Sequence, residues 1–132
     1  MTKSKLSTFV TALLLSNFIL ALWHLYILQN VYPGGPESDL WTLLPIVGSI
    51  SLFGIILLWT RFYRVGACVS AGLFLVGLTI GSYEHFVSVN PNNIFIMKPG
   101  IWFLPFLISV VLLVVVELLG IWASVRSATM RA

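Results

Sequence analysis

The sequence predicts an all-α integral membrane protein, a four-transmembrane-helix bundle running up-down-up-down with both termini on the cytoplasmic side. Three observations carry this. The 132 residues are 59% hydrophobic and only 8% charged, whereas a soluble domain carries about 25% charged residues, so most of the surface must face something apolar. Four apolar stretches, each close to the roughly 20 residues a helix needs to cross a hydrocarbon core, take up most of the chain. Six of the seven Lys and Arg fall on one side of those stretches, as cytoplasmic loops do. A single membrane domain, 1–132, leaves no room for a sizeable aqueous one.

The expected spans are 7–29, 40–60, 65–89 and 101–125. The first follows a short basic lead, but its apolar run is far longer than the about 7–15 residues of a signal peptide, and no small-residue cleavage pattern follows. It reads as a retained helix. Residues 31–39, rich in Pro and Gly, form a turn because neither residue continues a helix, and Ser38 or Asp39 can cap the second helix by accepting from its free N–H groups. The link 61–64 is so short that the second and third helices must be antiparallel neighbours. Asn90 to Asn93 ends the third helix and Lys98-Pro99-Gly100 leads into the fourth. Between them Ile94 to Met97 is an apolar stretch inside a loop, expected at the interface or packed over the bundle mouth. Pro45 and Pro105 fall near the outer starts of their helices, where a missing N–H is tolerated.

Lys3, Lys5, Arg61, Arg64, Arg126 and Arg131 fall on the inner side and Lys98 alone on the outer. The net charge of +3 forms no dense run, so the basic residues read as topology signals and not as a nucleic-acid footprint. Trp23, Tyr32, Trp41 and Trp102 near the outer boundary, with Trp59, Tyr63 and Trp122 near the inner one, match interfacial aromatic belts. The lone cysteine, Cys68, excludes an intramolecular disulfide and a thiolate metal cluster, and its apolar setting suggests a small core residue. No internal repeat is visible. A plasma (inner) membrane of a prokaryote is the expected location, because no organelle signal is present.

Ionisable residues inside a bilayer are costly and mark function by default. His24, Glu84, His85 and Glu117 are such residues, with Asn17 as a neutral companion. At about 1.5 Å per residue, His24 lies roughly 25 Å and His85 roughly 30 Å from the inner starts of their helices. Both histidines therefore reach the outer end at similar depth, with Glu84, Tyr26 and Tyr83 nearby. Asn17 and His24 share one helical face, as do Gly77, Gly81 and His85, and small residues allow close helix approach. Two histidines and a carboxylate suggest a metal ion, haem iron held axially, a quinone headgroup or a pH-responsive pair; the competing reading is that these side chains bond only to one another, to backbone or to interfacial water.

Glu117, placed in the cytoplasmic third of the fourth span, suggests either a proton-linked or cation-carrying role or a structural pairing with Arg61 or Arg64, whose long side chains snorkel. The second and third spans are rich in Gly and Ser, which packing explains. No phosphate loop, nucleophile elbow or metalloprotease helix is present, and Glu84 and Glu117 lie too far apart for glycosidase chemistry. Small multidrug carriers place a glutamate in their first helix; Asn17 stands there and no acidic residue does, so that resemblance fails. The expectation is a non-catalytic accessory or assembly subunit of a larger membrane complex. Its partners are the lipid bilayer and other membrane subunits or further copies of the chain, not nucleic acid. The alternatives are a haem-, metal- or quinone-binding module and a small proton-coupled carrier.

Overall fold

The computed structural model describes residues 2–31, 38–90 and 92–130, with side chains described for these except 31 and 38–43. Four α-helices account for most of them: α1, Lys3–Val31; α2, Ser38–Leu58; α3, Tyr63–Ser82; and α4, Phe103–Thr129. The third element continues beyond α3 as a π-helical turn, Tyr83–Val87. Among the described residues three helices are long and apolar enough to cross a membrane: Lys3–Asn30, Tyr63–Val87 and Phe103–Thr129. The apolar described part of α2, Leu44–Leu58, is shorter. The expected Ser38 or Asp39 cap and the belt residues Tyr32 and Trp41 lie outside the described side chains.

The helices are apolar all round, which marks elements with no aqueous face. Large side chains such as Ile19, Leu52, Ile80 and Leu104 point outward, while the interior combines large apolar ones such as Leu14, Ile27, Phe74 and Phe106 with small and polar ones: Gly66, Ala67, Ser70, Ser109, Gly120, Ala123, Ser124 and Ser127. Large apolar side chains on the outside as well as the inside fit a hydrocarbon surround, where small residues at the contacts let helices pack closely. Gly66 shows the closeness. A Cβ there would lie 2.6 Å from the Leu58 amide nitrogen and 2.9 Å from the Gly54 carbonyl oxygen, so α2 and α3 meet backbone to backbone. On the other flank the Phe74 ring fills the space above Gly120, 2.5 Å from where a Cβ would stand.

The α4 helix packs along both α1 and α3, and α2 leans on α3 with a thinner contact to α1. Polar ties lock the basic end. Arg64 Nη2 donates to the Met130 carbonyl at 2.9 Å, Tyr63 Oη donates to the same carbonyl at 3.2 Å, and Lys3 Nζ sits 3.7 Å above the Tyr63 ring centroid. Trp59 Nε1 donates to Thr11 Oγ1 and Ser7 Oγ to the Leu58 carbonyl, joining α1 to the end of α2.

Several expectations need correction. Cys68 is exposed on α3 and is not a core residue; the core-facing stripe runs through Gly66, Ala67, Ser70 and Phe74 instead. Pro45 lies inside α2, about two turns past its start. Gly81 meets nothing within contact distance, so the close approach expected along Gly77, Gly81 and His85 holds only at Gly77 and His85. The Ile94 to Met97 segment does pack over the bundle mouth: Met97 is buried with Leu25, Leu28 and Phe106, Ile94 packs beside them, and Phe95 and Ile96 stay exposed.

Candidate functional site

The end of the bundle away from the basic residues holds His24 from α1, His85 from the π-turn, and Phe106 and Ser109 from α4. Phe106 and Ser109 are one helical turn apart, so both face the same neighbours. The two imidazoles meet edge to face with centroids 4.9 Å apart. The fully buried Phe106 ring closes a third side, 5.2 Å from His24 and 5.4 Å from His85. Both histidines are more than nine-tenths buried.

The π-turn and the loop after it set the position of His85. The Ser88 amide donates to the Tyr83 carbonyl at 2.8 Å, a five-residue step that widens the helix and changes the phase of what it carries; such turns recur at functional sites. Asparagines then fold the chain back. Asn90 Nδ2 donates to the Glu84 carboxylate, Asn90 Oδ1 accepts from the Asn92 amide at 2.7 Å, and Asn93 bonds the Ser88 carbonyl and the Phe95 amide. The Ile94 amide reaches the His85 carbonyl at 3.0 Å. This hook brings the Asn92 carbonyl to 3.1 Å from His85 Nδ1.

Hydrogen-bond chemistry assigns both tautomers. A carbonyl oxygen only accepts, so His85 Nδ1 carries the proton that it donates to Asn92. Ser109 Oγ lies 2.7 Å from the Phe106 carbonyl and 2.8 Å from His24 Nδ1. The serine proton goes to the carbonyl, and the serine oxygen therefore accepts from His24 Nδ1–H. In a neutral imidazole the other nitrogen then holds a lone pair. Two buried imidazoles thus share one site, both held by Nδ1 and both with Nε2 free of hydrogen bonds to described residues.

Of the residues expected around this cluster, His24 and His85 come together. Glu84 is half-buried and turned to Asn90. Tyr26 is exposed with its ring edge on Trp102, 6.2 Å between centroids, and Tyr83 is exposed. Phe106, Ser109 and the Asn92 carbonyl are the partners that sequence reasoning missed. Depth along the chain puts Ser109 near the level of His24, but no local pattern says that the two side chains face each other; that contact exists only once α1 and α4 pack together. Among the described residues no group of three or more His, Cys, Asp or Glu gathers to hold a metal.

Glu117 also sits differently from expectation. It is at the middle of α4, buried, with its carboxyl against Gly77 of α3. It does not pair with Arg61 or Arg64. Thirteen residues of α3 separate Arg64 from Gly77, roughly 20 Å, beyond an arginine side chain. Arg64 is spent on Met130 and Tyr63, and Arg61 lies over the Phe62 ring.

Comparison of the chain with known protein families, with curated proteins and with solved structures finds no match.

Proposed function

We propose that the chain is a four-span membrane protein, both termini cytoplasmic, that binds one late first-row transition-metal ion between His24 and His85 at the outer end of the bundle. The observation that carries this is the pair of Nδ1 contacts, His24 to Ser109 Oγ and His85 to the Asn92 carbonyl. Metal-binding histidines almost always donate their second ring N–H to a carbonyl or other acceptor, which orients the ring and fixes its lone pair on the ligating nitrogen; both histidines here are held in that way. Imidazole nitrogen binds such ions at about 2.0–2.1 Å, which puts a ring centroid roughly 3.2 Å from the ion. Centroids 4.9 Å apart lie within the roughly 6 Å that two imidazoles on one such ion can span.

The same spacing argues against haem, whose trans-axial imidazoles would need centroids roughly 6 Å apart with a porphyrin between them, where Phe106 already touches both rings. A quinone carbonyl needs donors, and both Nδ1–H groups are already used. Two protein ligands leave two coordination positions open, which suits an exchangeable ion more than a structural one. Titration of the detergent-purified protein with Zn(II), Cu(I) and Co(II) is the test. One equivalent should bind, with loss of that equivalent in both His24→Ala and His85→Ala. Retention of stoichiometric metal by the double variant would remove the reading.

A second reading, association with another membrane helix, rests on α3. Its outward face carries Cys68 and Gly72 four residues apart, both exposed, with nothing within contact distance of Gly72. Small residues at that spacing let a second helix approach closely, and an accessory subunit would use such a face. Disulfide trapping through Cys68 tests it.

A further inference from the structure

Glu117 is 6% exposed, and among the described residues its carboxyl makes no hydrogen bond or ion pair. Gly77 leaves the space it occupies: a Cβ on Gly77 would collide with Glu117 Oε1 and lie 3.2 Å from its carboxyl carbon. On α1, Asn17 Oδ1 is likewise buried without a partner. The two lie at one level. His24 and Ser109 put α1 and α4 in register; Asn17 is seven residues before His24 and Glu117 eight after Ser109, so both sit roughly 10–12 Å below the histidines.

Further along the same buried side of α4, Ser124 and Ser127 are 0% and 1% exposed, and their hydroxyls also lack partners. A helical serine ordinarily folds back onto a carbonyl one turn earlier, as Ser70 does onto Gly66 at 2.8 Å. These two do not. Orphaned buried polar groups in native proteins call for an explanation such as a bound water or ion. Four of them, counting the Glu117 carboxyl, run from mid-helix towards the basic end.

The charged and titratable groups around Glu117 supply no counter-ion. Counted from Gly77 along the third span they are Tyr83, Glu84 and His85, six to eight residues one way, and Cys68 and Arg64, nine and thirteen the other; on α1 the nearest to Asn17 are His24, Tyr26 and Lys5; on α4 itself Arg126 lies nine residues on; the described side chains of α2 hold none. A carboxylate with neither cation nor donor is strongly unfavourable in such surroundings.

We propose that Glu117 is a proton-exchanging carboxyl at mid-membrane, donating its O–H to Asn17 Oδ1 when protonated and reached from the basic end through Ser124 and Ser127. The step is a simple one. A proton from water at the basic end forms the carboxyl O–H bond, and its reversal returns the proton to that water. Nothing here requires a metal at the histidines; His24 serves only as the marker of register between α1 and α4.

Infrared difference spectroscopy of the full chain in liposomes tests it. A protonated-carboxyl carbonyl band should be present, should vanish in Glu117→Gln, and should shift promptly on transfer to heavy water. Ser124→Ala/Ser127→Ala should keep the band but slow the shift, and Asn17→Leu should move the band to the position of a carboxyl without a hydrogen bond. Absence of the band, with sodium-dependent carboxylate bands in its place, would assign the site to a metal cation and overturn the proposal. An unchanged rate of shift in the double serine variant would overturn the route.

Discussion

Ser109 shows how much of the outer site depends on a residue with no chemistry of its own. Its hydroxyl is committed to the Phe106 carbonyl, which turns its oxygen into the acceptor that holds His24 Nδ1. Removing the hydroxyl leaves the imidazole free to change tautomer and rotate, and loss of such outer partners commonly costs 10–100-fold in metal affinity. Ser109→Ala should therefore weaken metal binding about 10–100-fold while leaving the fold intact, since alanine fits the same space. Competition titration against a chromophoric chelator measures it; an affinity equal to wild type would mean that Phe106 packing alone orients the ring. That His24 and His85 lie close together was readable from sequence, because they are rare, polar and matched in depth. It could not see Ser109, because serines are scattered through all four helices and only contact distinguishes this one.

At the scale of elements, α3 has two working sides and an unusual end. Its inner side, through Gly66, Ala67, Ser70 and Phe74, is spent on α2 and α4. Its outer side leaves Cys68 and Gly72 open. If that side meets the same side of a second copy, mild oxidation of native membranes should give a Cys68-linked dimer, and Gly72→Leu should abolish it without loss of monomer. A dimer that forms equally well with Gly72→Leu would reflect random collision, and no dimer at all would leave a different chain as the partner. The apolar period of the third span was readable, but the π-turn was not. Periodicity assumes one pitch throughout, and the pitch changes at Tyr83, where the loop supplies bonds to the Glu84 and His85 carbonyls from Asn90 and Ile94.

For the whole molecule, orientation is the property on which the rest depends. It rests on the clustering of Lys3, Lys5, Arg61, Arg64 and Arg126 at the end opposite the histidines, and basic residues favour the cytoplasmic side. In a Cys68→Ala background, a cysteine placed at exposed Lys98 should react with an impermeant thiol reagent in intact cells. Cysteines at exposed Thr60 and Thr129 should react only after permeabilisation. Labelling of Lys98 and Thr60 from the same side would mean that the third span does not cross, and full inversion would put the histidine site in the cytoplasm.

Composition and the spacing of apolar stretches were enough to point to what the described residues show, helices long and apolar enough to cross a membrane, because burying backbone polar groups in hydrocarbon leaves helices as one of very few solutions. The meeting of His24 and His85 at one end was also legible, since depth along a helix follows directly from residue number. Which groups touch them was decided only by tertiary packing. Antiparallel register between α1 and α4 brings Ser109 to His24, the π-turn carries His85 inward, and the distance between Gly77 and Arg64 leaves Glu117 without the arginine it was expected to meet. Register and helix phase arise from contacts between segments far apart in the chain, and no local pattern encodes them.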